Sequence, residues 1–144
     1  MRAWGGNARS RRRQEREKMT AEFDFNAARL FLLNKRKKRI RRNRGLYKKA
    51  SNDCSKIIKM IIEKYNPKRI YQWGSLLHPE QFCEISDIDI AVEGIGSAEL
   101  FFALYGDASD LTAFPLDLVE LEKIEPVHRN SIVKRGKAVY ERKK

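Results

Sequence analysis

The chain has 144 residues, 42% hydrophobic and 35% charged, with a formal net charge of +12, enough for one domain with its own core and a tail besides. The charge is lopsided: residues 1–50 carry 18 Lys and Arg against 4 Asp and Glu, and the remainder 13 against 15. No apolar run approaches the ~20 residues that span a bilayer. Cys54 and Cys83, with only His78 and His128 to help, make neither a disulfide framework nor a structural zinc site, so a reducing cytoplasm and no membrane contact are expected.

In chain order, residues 1–44 predict a basic, partly disordered arm. Residues 1–18 have almost no apolar side chains and predict disorder. Phe23, Phe25 and Leu30–Leu33 form a short apolar patch, followed by Lys35–Arg44, where eight of ten residues are basic. Residues 45–144 predict the compact domain. Tyr47, Ala50, Cys54, Ile57, Ile58, Ile61, Ile62 and Tyr65 step by three and four, the spacing of one helix face, and Asn66-Pro67 ends that helix.

Arg69–Trp73 predicts a short strand, and Gly74-Ser75 turns the chain into a helical or loop piece that runs through Phe82. Asp87–Val92 predicts a second strand. Ser97 is placed to cap a helix bearing Leu100, Phe101, Leu104, Ala108 and Leu111, in which Gly106-Asp107 predicts a distortion. Leu116–Leu121 predicts a third strand, Pro126 a helix start and Gly136 its end, and Lys137–Tyr140 a last strand. Helices and strands alternate, which predicts an α/β (α+β) domain with a sheet of about four strands covered by helices.

Asp87 and Asp89 stand two apart on a predicted strand and so share a face, while Ile88 and Ile90 take the other. Two carboxylates ~4 Å apart repel by about 4 kcal/mol at an effective dielectric of 20, so they require solvent or a cation. Asp117 repeats the pattern between Leu116 and Leu118. If the two strands are neighbours, three oxygen donors without nitrogen or sulfur suit Mg²⁺ or Mn²⁺. An isolated Asp-x-Asp is more often the solvated side of a strand. What strengthens the pattern is Gly74-Ser75, a strand-end turn where backbone N–H groups and a hydroxyl can approach a phosphate.

Tyr71-Gln-Trp-Gly-Ser75, Ser86-Asp-Ile-Asp-Ile-Ala-Val92, Leu116-Asp-Leu-Val119, Ile132-Val-Lys-Arg-Gly136 and Val139-Tyr140 resemble the minimal nucleotidyltransferases of the polymerase-beta-like superfamily over residues 48–141. The resemblance implies a small nucleotidyltransferase fold with a mixed sheet. It implies Gly74 and Ser75 on the nucleotide phosphates, Asp87 and Asp89 on divalent metal, and Asp117 as the third carboxylate, which helps deprotonate the incoming hydroxyl. The implied reaction transfers a nucleoside monophosphate, as AMP from ATP, to a protein hydroxyl, with Mg²⁺ or Mn²⁺ as cofactor. Small members of the family act as antitoxins of HEPN-type helical toxins, the partner expected here. Two features depart from the common pattern: the segment Leu76–Ser86 is one residue longer, and Leu76-Leu77-His78-Pro79 stands where basic residues are usual.

Two rival readings remain at this point. One is a catalytically inactive protein of the same fold that neutralises its partner by binding. The other is a nucleic-acid-binding protein using Lys35–Arg44, whose affinity would fall steeply with salt. Gly94-Ile95-Gly96 lacks the glycine a dinucleotide fingerprint needs at its sixth position, where Glu99 stands, and predicts a plain turn. His78 and His128 predict ordinary loop and surface residues, and Cys54 a core residue.

Overall fold

A computed structural model describes residues 5–144, leaving aside the side chains of residues 5–7 and 19–23. Helix α1 is Gly5–Tyr65. The chain divides into two units, with Arg41 the last residue of the first and Arg42–Lys144 the second.

In the first unit, residues 5–18 are α-helical where the sequence predicts disorder; residues 1–4 lie outside the described residues. The segment lacks apolar residues to bury, but Arg, Gln, Glu, Lys and Ala are all good helix formers. Arg13 also pairs with Glu17 one turn on at 3.1 Å. The apolar patch is helical as well, with Phe25, Leu30, Phe31, Leu32 and Leu33 exposed.

The second unit takes the rest of α1. Ala50, Cys54, Ile57 and Ile61 are the buried stripe that the periodicity predicts. Asn66 ends the helix with φ of 47°, a left-handed conformation that Asn tolerates better than most residues. Four strands follow: β1 (Arg69–Trp73), β2 (Ile88–Glu93), β3 (Leu116–Glu120) and β4 (Lys137–Glu141). The sheet order is β3-β2-β1-β4. β2 and β3 are parallel; β1 pairs antiparallel with both β2 and β4. This is the mixed four-stranded sheet flanked by helices that the sequence predicts.

The strand alternation sorts the core into two layers. Ile70, Ile88, Ile90, Val92 and Leu118 pack with α1 and with Leu104 and Ala108 of α2 (Ala98–Ser109). On the opposite face Tyr71, Ala91 and Leu121 pack with Ile132 of α3 (Pro126–Arg135). Asp89 and Asp117 belong to this second face by the same alternation.

Several boundaries differ by a residue. β2 begins at Ile88, leaving Asp87 just ahead of it, and β3 ends at Glu120, although Leu121 N–H still donates to Val92 O at 2.8 Å. Ser97 caps α2 as predicted, its Oγ accepting from Leu100 N–H at 3.2 Å. The helix runs through Gly106 without a break, because Asp107 is tied to the end of α1: its carboxylate accepts from Lys64 Nζ at 2.6 Å and from the Tyr65 hydroxyl. Leu100 and Leu111, predicted on the apolar side of α2, are exposed.

Candidate functional site

The site grows from one register row. Trp73 of β1 stands opposite Asp89 of β2, and Asp89 opposite Asp117 of β3. Partners in register on neighbouring strands turn their side chains to the same face, so the row lays an indole and two carboxylates side by side on the α3 face of the sheet. Asp89 is only 8% exposed. Its carboxyl is pushed up to about 7 by burial first, then by the negative charges of Asp117 and Asp87. A buried carboxylate with two acidic neighbours lacks the compensation that such groups normally have.

Gly74 closes one side of this carboxylate. Its φ is +77°, and a Cβ there would fall 1.9 Å from Asp89 Oδ2. Glycine is therefore required twice, by conformation and by space. Ser75 follows in a single 3-10 turn, Gly74–Leu77, whose carbonyl at Ser75 accepts from His78 N–H at 2.9 Å.

The long β1–β2 connection is held down by Leu76 and Phe82, 2% and 1% exposed. The Phe82 ring meets Tyr47 and Phe114 edge-on at 6.1 and 6.0 Å between centroids. Cys83 N–H donates to Ser86 Oγ at 3.0 Å, a tight turn that delivers the chain to Asp87. Phe82 did not stand out in the sequence, because a lone aromatic inside a predicted loop has no periodicity to mark it.

The predicted residues are placed unequally. Asp89, Asp117 and Gly74 come together, with Ser75 next in the chain. Asp87, one position before β2, acts on Asp89 as a neighbouring charge. Among the described residues no three His, Cys, Asp or Glu side chains close into a metal-ligand set. The donor chemistry is all carboxylate, which fits a hard divalent cation, and the strained ionisation of Asp89 is what a cation would relieve.

His78 is an exposed loop residue within 4.0 Å of Glu80. Gly94-Ile95-Gly96 is a turn between β2 and α2. Cys54 is buried core, its thiol pushed up to about 12 by burial and then by the charge of Asp89. His128 is exposed, as predicted, but its ring also meets Trp73 edge-on, with centroids 5.6 Å apart. That contact joins α3 to the register row and was invisible in the sequence, which does not state the strand order.

The chain is similar to known proteins. Residues 55–144 match the family described as Polymerase beta, Nucleotidyltransferase. No curated protein matches the chain. A structure of tri-AMPylated Shewanella oneidensis HEPN toxin in complex with MNT antitoxin is similar at 25% identity and a TM-score of 0.50, over 65% of this chain and 73% of that chain. A toxin–antitoxin structure with AMP-PNP is similar at 25% identity and a TM-score of 0.50, over 60% and 73%. The MntA–HepT toxin–antitoxin structure shares the fold at 24% identity and a TM-score of 0.50, over 64% and 73%.

Proposed function

The chain belongs to the polymerase beta nucleotidyltransferase family, and from that premise we propose that it transfers AMP from ATP to a hydroxyl of a HEPN-type toxin, as the antitoxin of the pair. One observation carries the proposal to this site: the buried Asp89 carboxylate lies against Gly74 and in register with Asp117. The similarity to a chain from a complex containing AMPylated HEPN toxin supports the acceptor. The similarity to a structure with AMP-PNP supports the donor.

In this reading residues 45–144 are the catalytic domain and residues 1–44 an arm. The Gly74–Ser75 backbone and the Ser75 hydroxyl bind and orient the triphosphate. Asp87, Asp89 and Asp117 would hold Mg²⁺ or Mn²⁺, which would supply positive charge to stabilise the phosphoryl group in transfer. Asp117 accepts the proton of the incoming hydroxyl. A bond forms from that oxygen to the α-phosphorus, the α–β bridging bond breaks, and pyrophosphate leaves with the electron pair. Cys54 and Cys83 are free thiols, and among the described residues no helix is long and apolar enough to cross a membrane.

The test is transfer of label from α-³²P-ATP to a HEPN partner with Mg²⁺, using wild type and Asp87→Ala/Asp89→Ala. Label from wild type alone supports the enzyme. A stable complex with no transfer from any NTP leaves a protein that acts by binding. A second reading draws on the exposure of every basic residue of Lys35–Arg44. It predicts nucleic-acid binding whose affinity falls linearly on a log–log plot against salt, and a flat, weak response counts against it.

A further inference from the structure

We propose that His128, backed by Trp73, is the ring on which the nucleoside half of the donor nucleotide rests; this extends the reading above and depends on it. The register row fixes the order of groups on this face: Asp117, Asp89, Trp73, and then His128 brought onto Trp73 by α3. In the proposed reaction the α-phosphate reacts at the carboxylates, and the nucleoside is bonded to that phosphate. The sugar therefore stands beside the row, and the base a ribose's length beyond it. The β- and γ-phosphates extend instead along the Gly74–Ser75 turn.

Among the described residues, Tyr71, Trp73 and His128 place rings on this face. Tyr71 is buried in the layer beneath α3, and Trp73 is half-buried. His128 is exposed, which leaves its ring as the accessible π surface at the end of the row. Its geometry is also held. The His128 ring stands at 87° to the indole, and α3 is pinned at its far end by Gly136, where a Cβ would meet Ile132 O at 2.5 Å and Gln72 O at 2.9 Å. Gly136 N–H donates to Ile132 O at 2.7 Å.

Trp73 Nε1 is buried, and no described residue accepts its hydrogen bond. Stacking of a base on an aromatic side chain tolerates any base, since each has a π face. The inferred site therefore contributes affinity for the nucleoside with little choice among ATP, GTP, CTP and UTP.

The experiment measures dissociation constants of ATP and of inorganic tripolyphosphate, each with Mg²⁺, for wild type, His128→Ala and His128→Phe. Tripolyphosphate has the phosphates and lacks the nucleoside. The expected result is roughly tenfold weaker ATP binding for His128→Ala, unchanged tripolyphosphate binding, and recovery of most of the ATP affinity in His128→Phe. ATP affinity unchanged in His128→Ala overturns the inference while leaving the proposed function standing. Equal weakening of ATP and tripolyphosphate also overturns it, because His128 would then serve the phosphates. Absence of ATP binding by folded wild type overturns the proposed function, and this inference with it. His128 is exposed on α3, so both variants should melt like wild type; the Phe variant separates loss of the ring from loss of the helix.

Discussion

Gly74 and Asp89 specify each other. The missing side chain at Gly74 is the space that the Asp89 carboxylate occupies, and the positive φ forbids a cheap replacement. Gly74→Ala is predicted to destabilise the protein by about 1–3 kcal/mol and to abolish transfer, read by thermal melting and label incorporation. Asp89 is buried beside the charges of Asp117 and Asp87, so its ionised form opposes folding without a counter-ion. In EDTA at pH 8, Asp89→Asn is predicted to raise stability by on the order of 1–3 kcal/mol. Mg²⁺ should raise the Tm of wild type and leave that of Asp89→Asn nearly unchanged. A lower metal-free Tm for the Asn variant would contradict this account of the site.

At the scale of elements, the loop between β1 and β2 is ordered by what it buries. Phe82→Ala removes a ring that is 1% exposed and set between Tyr47 and Phe114, which predicts a loss of about 3–5 kcal/mol. Ile85 in the same loop is 85% exposed, and Ile85→Ala should fall within about 0.5 kcal/mol of wild type. Denaturant midpoints of the two variants distinguish anchored from unanchored positions.

The α1–α2 clamp carries a pH signature. Hydrogen bonds from Lys64 and Tyr65 hold the Asp107 carboxyl below its ordinary 3.8. Folded protein then binds fewer protons there than unfolded chain, so the clamp's contribution is present above pH 3.8 and is lost as pH falls through the lowered value. Asp107→Ala should therefore cost stability at pH 6 and show a shallower acid limb than wild type in melts taken from pH 6 to pH 2.5.

For the whole molecule, much was legible from residues. Strand alternation gave Asp89 and Asp117 one face and their isoleucine and leucine neighbours the other, and Ser97, Pro126 and Gly136 marked helix ends that the structure keeps. Three things were not legible. The helix in residues 5–18 rests on intrinsic propensity without burial, a signal that composition alone reads as disorder. Register across the sheet, which sets Trp73, Asp89 and Asp117 in one row, depends on strand order, and no single strand encodes it. Phe82 and His128 do their work through contacts with residues far away in the chain, so neither spacing nor charge marks them.

In the proposed reaction the Asp89–Asp117–Gly74 arrangement modifies a partner protein. The most direct measurement is the intact mass of a HEPN partner purified after co-expression with wild type or with Asp89→Asn, followed by mapping of the modified side chain. The expected result is a partner heavier by one or more AMP groups, attached at a hydroxyl, with wild type and an unmodified partner with Asp89→Asn. An unmodified partner in both cases, recovered in stable complex with the chain, would contradict it.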